Sequence, residues 1–331
     1  MRAKIGVWGV GRIGLVHARN IASSERAELV AIADPIRELA ENAAERFGVR
    51  AYASPTEMLK EESVNGVIIA TPTKLHAQHV KMAARAGVAM LLEKPIAHAM
   101  TEADLIVSTV KRSRVKFMIG FMRRWDTSYQ KAKQSIVNGS IGKPILVKTC
   151  ARDPSPPPED YIKHSGGIFV DQSIHDIDIA LWLMNSKVKI VSATGKTLVY
   201  PQFAKYGDYD NAVAVLEFES GGLGIIEASR TSKYGYDLRT EVLGSRGAVS
   251  IGNLKNDSTE LWTSQGSIKG RYPWFLERFD EAYRREVDGF CNYILDGGKS
   301  PVSVDEGRAA LQVAIAARDA AKTNRIVSIP P

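Results

Sequence analysis

The feature that most constrains the fold is a run of three glycines directly after a short apolar stretch. Gly9, Gly11 and Gly14 join the predicted strand Lys4–Val10 to the predicted helix Ile13–Ala22. In such a turn the first glycine allows a sharp reversal, the second leaves backbone room for a pyrophosphate, and the third lets the helix pack closely on the strand. The N–H groups at the start of the helix also favour an anion. The spacing therefore predicts a strand–turn–helix unit that binds a dinucleotide.

A carboxylate downstream of the glycine turn refines this prediction. Asp34 lies 20 residues beyond Gly14 at the end of the second predicted strand, where it can accept hydrogen bonds from the adenosine ribose. A carboxylate there repels the 2′-phosphate of NADP, whereas the nearby Arg37 weakens that discrimination. We therefore expect NAD to be favoured over NADP as the cofactor.

The first 120 residues alternate short apolar runs with amphipathic stretches. This alternation predicts a doubly wound parallel sheet with helices on both faces, because strands buried on both faces are apolar almost throughout. The predicted strands are Lys4–Val10, Glu28–Ala33, Gly66–Ala70, Val88–Leu92 and Lys116–Gly120, and the predicted helices are Ile13–Ala22, Ile36–Phe47, Leu75–Ala86 and Glu102–Lys111. We expect a first, NAD-binding domain over residues 1–121.

The pattern changes after Met122. Runs that alternate apolar and polar residues, separated by glycine-rich turns, predict an antiparallel meander with one wet face. The predicted strands are Pro144–Thr149, Ala212–Phe218, Gly224–Ala228, Thr240–Leu243 and Ala248–Ile251, and the predicted helices are Ser128–Val137, Ile168–Met184, Phe279–Leu295 and Val304–Ala320. We expect a second α/β domain over residues 122–331 with an open, largely antiparallel sheet, whose last helix can pack back on the first domain.

Composition argues against several classes of protein. With two cysteines, Cys150 and Cys291, neither a disulfide framework nor a cysteine zinc site is expected. His76 and His79 lack a third ligand at metal spacing, so no metal is expected. No apolar run reaches the roughly 20 residues of a membrane span, and the N-terminus is typical of a strand rather than a secretion signal. The net charge of +7 comes from dispersed residues, which favours a solvated surface over nucleic-acid binding. We expect a cytoplasmic protein.

Two segments carry candidate catalytic groups. Glu93-Lys94-Pro95 follows the predicted strand Val88–Leu92, and open α/β sheets bind ligands beyond the carboxyl ends of their strands. Asp171 and His175 are four residues apart on the predicted helix Ile168–Met184, so we expect them to share a face. A carboxylate there can orient an imidazole that acts as a general base. Taken alone, the lysine is equally compatible with an exposed loop, and the Asp–His pair with an ordinary helix surface.

Six segments together carry a resemblance to a known family. They are GVGRIG at 9–14, ATPTKLH at 70–76, EKP at 93–95, GFMRRWD at 120–126, ARDPSPPPEDYI at 151–162 and GGIFVDQSIHDID at 166–178. With them the chain resembles the glucose–fructose oxidoreductase/inositol dehydrogenase/MocA family over essentially its whole length, and within it the inositol 2-dehydrogenases. The glycine motif is shared by many dinucleotide proteins, whereas EKP combined with the D-x-x-x-H segment is far more selective.

The resemblance implies a Rossmann domain followed by an α/β domain that binds substrate and often forms tetramers, so we expect a homotetramer. It implies the catalytic set Lys94, Asp171 and His175, and a cis peptide before Pro95. With the glycine turn, the expected cofactor contacts are Gly9, Gly11, Arg12, Ile13, Gly14, Asp34, Thr71, Pro72, His76, Glu93 and Lys94. The expected substrate contacts are Lys94, Met122, Arg123, Asp153, Asp171 and His175, with Tyr234 or Tyr236 from a later loop.

These features predict NAD-dependent oxidation of a secondary ring hydroxyl of a cyclic polyol, with His175 as base. The leading hypothesis is myo-inositol oxidised to 2-keto-myo-inositol (scyllo-inosose); another inositol isomer or an aldopyranose is the alternative. Arg123 and Arg124 leave open a carboxylated or phosphorylated sugar held by bidentate contacts. A non-catalytic dinucleotide-sensing regulator is an alternative of another class, but it would need the glycine turn without the catalytic set.

Overall fold

The computed structural model of the chain describes residues 1–252, 260–264 and 266–330. The chain divides into two compact units. Unit 1 comprises Met1–Trp125 and Glu281–Leu311, and unit 2 comprises Asp126–Asp280 and Gln312–Pro331. The domain boundary predicted between residues 121 and 122 stays a prediction.

Unit 1 is built on a sheet of six parallel strands. They are β1 (Ala3–Trp8), β2 (Ala27–Ala33), β3 (Arg50–Tyr52), β4 (Gly66–Ile69), β5 (Ala89–Glu93) and β6 (Phe117–Gly120). Every residue of β4, β5 and β6 is buried, as expected for a parallel sheet covered on both faces. The strand order is β3-β2-β1-β4-β5-β6, so the sheet is extended in opposite directions on the two sides of β1. Doubly wound sheets bind ligands at this switch point, beyond the carboxyl ends of the strands.

Five helices connect these strands. They are α1 (Arg12–Ala22), α2 (Arg37–Phe47), α3 (Pro55–Glu61), α4 (His76–Arg85) and α5 (Met100–Ser113). The Ser54 hydroxyl accepts the N–H of Glu57 and caps α3, and α2 ends at Gly48 in the left-handed conformation. The predicted doubly wound sheet is confirmed. The elements β3 and α3 were not predicted, because three and seven residues are too few to show a periodic pattern.

Unit 2 contains most of the remaining elements. Its helices are α6 (Thr127–Val137), α7 (Glu159–His164), α8 (Ile168–Asp171), α9 (Ile174–Met184), α10 (Gln202–Lys205) and α11 (Phe275–Arg278). Its strands are β7 (Pro144–Arg152), β8 (Val188–Lys196), β9 (Asn211–Phe218), β10 (Leu223–Ser229), β11 (Asp237–Gly244), β12 (Ala248–Ile251), β13 (Glu260–Thr263), β14 (Gly266–Lys269) and β15 (Val327–Ser328). Two long helices, α12 (Asp280–Asp296) and α13 (Val304–Thr323), lie before β15 in the chain.

The main sheet of unit 2 is open and largely antiparallel, as predicted. Its order is β12-β11-β7-β10-β9-β8-β15, and β13 and β14 form a separate hairpin. The prediction of a simple meander was wrong, because β7 inserts between β10 and β11 and runs parallel to β10. Strand insertion depends on pairing over long sequence separation, which local alternation does not report.

The sheet of unit 2 has one covered and one open face. Alternate residues of β9 are buried, whereas Val213 and Val215 between them are 39% and 42% exposed. The helix α9 contacts β7 and β10, and α6 contacts β12, which covers one side. The open side is the wet face that the alternation predicts.

The helix predicted over Ile168–Met184 is two helices in the structure. The ladder shifts at Gln172 and Ser173, where the Ser173 N–H bonds the Ile168 carbonyl five residues back at 2.9 Å. The side chain of Gln172 explains the break, because its amide donates to the carbonyls of Ala151 (3.2 Å) and Ser229 (3.0 Å) in the sheet. The expectation of a single helix was therefore wrong, whereas the shared face of Asp171 and His175 stays a prediction.

Among the residues that the structure describes, no helix is both long enough and apolar enough to cross a membrane.

Candidate active site

The glycine turn leaves its backbone open at the carboxyl end of β1. Gly9 has φ +85°, and a Cβ there would lie 2.8 Å from the carbonyl oxygen of Ala70. A Cβ on Gly14 would collide with the carbonyl oxygen of Gly9, whereas nothing lies within 4 Å of a Cβ built on Gly11. Arg12 is exposed and Ile13 half-buried in the first turn of α1. The turn can therefore admit an anion at Gly11 and the start of α1.

Asp34 ties the glycine turn to the end of β2. Its Oδ2 accepts the N–H of Val10 and its Oδ1 accepts the N–H of Ile36, both at 2.9 Å. Each carboxylate oxygen can accept a second hydrogen bond, so the ribose contact predicted for Asp34 stays open to it. Arg37, expected to weaken the discrimination against NADP, is exposed and paired with Glu41 at 2.7 Å.

His76 lies between two loops that follow β4 and β5. Its Nε2 is 3.0 Å from the carbonyl oxygen of Thr71, and its Nδ1 is 3.0 Å from that of Pro95. Burial lowers the pKa of His76 to about 4. The neutral ring can donate to one of these carbonyls and contacts the other, so it joins the two loops. The Thr71 hydroxyl lies 2.9 Å from Nδ1 of His79, which ties the first loop to α4. Pro72 is exposed beside them. The cofactor contacts of Thr71, Pro72 and His76 stay predictions.

Lys94 follows a buried carboxylate at the end of β5. The Lys94–Pro95 peptide is cis, as the resemblance implied. Glu93 accepts the N–H of Lys94 through Oε2 at 3.2 Å, and its Oε1 is 2.5 Å from Nε2 of the fully buried His17. Sequence reasoning missed the His17 contact, because the partners are separated by 76 residues. The pair fixes the backbone from which Lys94 projects.

A second carboxylate lies beside the His17–Glu93 pair. One ligand atom each of His17, Glu93 and Glu286 lie within 4.8 Å of one another, and all three residues are buried. Such a set can offer metal ligands, but the Nε2–Oε1 distance of 2.5 Å between His17 and Glu93 is that of a direct hydrogen bond. The expectation that the protein needs no metal stays a prediction.

The two predicted arginines after β6 are both buried. Met122, Arg123 and Arg124 lie in a 3₁₀ helix. Arg124 pairs with Glu306 at 2.5 Å. Burial raises the pKa of Glu306, but the charge and hydrogen bonds of its partners, Arg124 first, lower the pKa by more. Asp126, two residues after Arg124 in the sequence, pairs with Arg278 at 2.7 Å. Arg124 is therefore committed to an internal ion pair, which weakens the case for an anionic sugar.

Asp171 is held from two sides at the end of α8. The Tyr161 hydroxyl donates to Oδ1 at 2.7 Å, and Arg230 donates to Oδ2 at 2.9 Å. Arg230 is 1% exposed, and it was not predicted because 59 residues separate it from Asp171. His175 is buried in the first turn of α9, directly after the break at Gln172.

One backbone carbonyl joins this segment to the next predicted contact. The Ser229 carbonyl accepts both the Gln172 amide at 3.0 Å and the Asp153 N–H at 2.8 Å. Asp153 itself is half-buried. The structure therefore brings the backbone of Asp153 and the turn between Asp171 and His175 to the same end of β10.

The two tyrosines proposed after β10 differ in exposure. Tyr234 is 52% exposed and donates to Asp237 at 2.7 Å, while Arg152 donates to its hydroxyl oxygen at 2.8 Å. Tyr236 is buried. Their roles toward a substrate stay predictions.

Comparison with known proteins identifies the chain's class. Residues 3–121 match the family model "Oxidoreductase family, NAD-binding Rossmann fold", and residues 129–250 match "GFO/IDH/MocA C-terminal domain". These matches, with the open glycine turn, define an NAD-dependent oxidoreductase.

Full-length relatives then give the family. Myo-inositol 2-dehydrogenase of Thermotoga maritima is 38% identical over 98% of both chains. The scyllo-inositol 2-dehydrogenase (NAD(+)) of Bacillus subtilis is 39% identical over 99% of this chain and 96% of its own. The structure of scyllo-inositol dehydrogenase from Lactobacillus casei with NAD(H) and scyllo-inositol is similar with a TM-score of 0.92 and 29% identity, covering 99% of each chain. The chain belongs to the GFO/IDH/MocA oxidoreductase family.

Proposed function

We propose that the protein oxidises a secondary ring hydroxyl of a cyclic polyol, and specifically myo-inositol to 2-keto-myo-inositol (scyllo-inosose). The observation that carries the proposal is the fixed carboxylate of Asp171, held by Tyr161 and the buried Arg230 four residues before His175. This carboxylate belongs to the same segment as His175, the proposed base, and Lys94 completes the proposed catalytic set. The inositol dehydrogenases named above supply the polyol class.

The glycine turn supports the cofactor part of the proposal. The open backbone at Gly11 and the first N–H groups of α1 fit a pyrophosphate, with Arg12 and Ile13 beside it. In this proposal Asp34 accepts hydrogen bonds from the ribose hydroxyls, which favours NAD over NADP. When bound, NAD supplies the hydride acceptor.

The residues of the chain then handle the proton and the charge on oxygen. His175 takes the proton of the reacting hydroxyl, and Asp171 stabilises the imidazolium that results. Lys94 donates a hydrogen bond to the same oxygen and opposes negative charge as the ketone forms. Arg123, Asp153 and Asp171 supply the donors and acceptors by which hydroxyl stereochemistry can be discriminated.

A second isomer has specific support. The Bacillus subtilis relative is named for scyllo-inositol, and it resembles this chain as strongly as the myo-inositol enzyme does. Overall identity therefore does not discriminate between the two isomers.

The test is formation of NADH from NAD with a panel of myo-inositol, scyllo-inositol, glucose and galactose. We expect the highest kcat/KM on myo-inositol. Higher kcat/KM on scyllo-inositol would reassign the isomer, and a preference for a pyranose would overturn the inositol assignment. Binding of NAD without turnover on any member would favour the sensing regulator.

A further inference from the structure

The side chain of Arg230 is almost completely buried. The residue directly follows β10, is 1% exposed, and its guanidinium carbon lies 5.1 Å from the centre of the Phe203 ring. The backbone N–H of Arg230 donates to the carbonyl of Asp210 at 2.9 Å, which fixes the start of the side chain. Burying an arginine is costly, and a well-packed apolar residue often gives equal or greater stability. Its presence therefore points to something it does for its partners.

The guanidinium faces two carboxylates at opposite ends of α8. Nη2 lies 2.9 Å from Oδ2 of Asp171, the last residue of α8, and Nη1 lies 3.6 Å from Oδ2 of Asp208. Asp208 accepts the N–H of Ile168, the first residue of α8, at 2.8 Å. Arg230 and Asp208 thus hold both ends of the short helix that presents Asp171.

The two oxygens of Asp171 have different surroundings. Oδ2 is turned to the buried Arg230, whereas Oδ1 accepts from Tyr161, a residue 43% exposed. A carboxylate bonded at both oxygens has a fixed plane, and its more accessible oxygen can still accept from a polyol hydroxyl.

A second carboxylate acts on Asp171 through its charge. Tyr161 on α7 and Arg230 after β10 contact Asp171, Asp208 lies before β9, and His175 follows on α9. Burial raises the pKa of Asp208, Arg230 opposes that rise, and the charge of Asp171 adds to it. The two carboxylates therefore repel each other, and the positive charge of Arg230 offsets this repulsion on both sides.

We propose that Arg230 is a positioning residue for the polyol oxidation, holding the Asp171 carboxylate in a single orientation in the segment that leads to His175. This inference rests on the proposed function. It assigns a role to a residue outside the predicted catalytic set, and it implies that removing the Arg230 charge moves the acidic limb of activity, where His175 and Asp171 take up protons.

The first test compares pH profiles of kcat/KM for myo-inositol in Arg230→Met and Arg230→Lys. We expect Arg230→Met to lose roughly 10- to 100-fold in kcat/KM at neutral pH and to move the acidic limb upward by about one pH unit. Loss of a nearby positive charge raises the pKa of the base His175 as well as that of Asp171, and such a charge is worth about that much. Arg230→Lys keeps the charge without the planar fork, so its acidic limb should stay near that of the wild type while kcat falls.

The matched control is a second buried arginine–aspartate pair in unit 2. Arg278 pairs with Asp126 at 2.7 Å, and both residues are 8% exposed. Arg278→Met should lower the melting temperature without moving the acidic limb. An unmoved limb in Arg230→Met, or an equal shift in Arg278→Met, would overturn the proposal.

A second test does not depend on turnover. A thermal double-mutant cycle with Arg230→Lys, Asp171→Asn and the double variant measures coupling in the folded protein. We expect the decrease in melting temperature of the double variant to be smaller than the sum of the decreases in the two single variants. Additive decreases would overturn the pairing. Turnover by the wild type on the polyol panel tests the proposed function separately, so the two failures are distinguishable.

Discussion

At the residue scale, the chemistry depends on a few polar side chains held almost entirely away from water. His17, His76 and Arg230 are each no more than 1% exposed, and each bonds to a segment that carries a predicted site residue. A buried polar group without a partner costs about 1–3 kcal/mol, so these contacts strongly constrain the loops around the site. Fixed loops are what a catalyst needs to hold reacting groups in place.

His76 makes the stability of the protein depend on pH in a specific direction. Its pKa is about 4 in the folded protein and 6.5 in the unfolded chain, so the unfolded chain binds the proton first as the pH falls. The stability that depends on a neutral His76 is fully present above about pH 6.5 and is lost progressively down to about pH 4. The free energy of unfolding falls by about 3 kcal/mol over this range. Urea unfolding at pH 7 and pH 4.5 measures the loss.

The variant His76→Gln isolates that contribution. It should be less stable than the wild type at pH 7 but lose less stability between pH 7 and pH 4.5. The exposed His164→Gln is the control and should follow the wild type. Equal acid sensitivity in wild type and His76→Gln would rule out His76 as the cause.

At the element scale, the turn between β1 and α1 contains one glycine needed for packing and another suited to binding. A side chain at Gly14 meets the Gly9 backbone, whereas a side chain at Gly11 meets open space. The two glycines therefore serve different purposes within one motif.

Alanine substitutions at Gly14 and Gly11 should affect stability and NAD binding separately. Gly14→Ala should lower the melting temperature by several degrees, because backbone must move to admit the methyl group. Gly11→Ala should melt like the wild type but bind NAD at least about tenfold more weakly, because the methyl group obstructs the approach of a pyrophosphate. Thermal melts and NAD titration of both variants are the measurements. Unimpaired NAD binding by Gly11→Ala would contradict the placement of the pyrophosphate.

Local patterns predicted much of the fold and part of the site. Some site features are local: the glycine turn, Asp34 and EKP. Each lies within a few residues or one strand–helix–strand repeat, so it can be recognised in one sequence without an alignment. The contacts of His17 with Glu93 and Arg230 with Asp171 join residues 76 and 59 positions apart, and no local pattern encodes them. The break at Gln172 has the same origin, because a tertiary bond to Ser229 overrides helical periodicity.

At the scale of the whole molecule, the open face of the unit 2 sheet bears on assembly. Val213 and Val215 on β9 and Leu223 on β10 are 39–47% exposed, and Val215 pairs with Ile225 across the strands. Exposed apolar side chains on neighbouring strands of an open sheet favour association between copies. The homotetramer stays a prediction, and this face is where we expect contact between copies.

Light scattering after size exclusion checks that prediction. The wild type should have four times the chain mass of 36.2 kDa, and Val215→Lys should form smaller species. Leu39→Lys, at an equally exposed leucine on α2, is the control and should leave the mass unchanged. A wild type that elutes as a single chain would contradict the expected assembly.

The proposed role of His175 is that of the base in an NAD-dependent oxidation of a cyclic polyol. Its most direct test is kcat for myo-inositol, measured with the dissociation constant for NAD, in the wild type and in His175→Asn. We expect kcat to fall by roughly 10²- to 10⁴-fold while the NAD dissociation constant stays within about twofold. Near-normal turnover by His175→Asn would contradict the account.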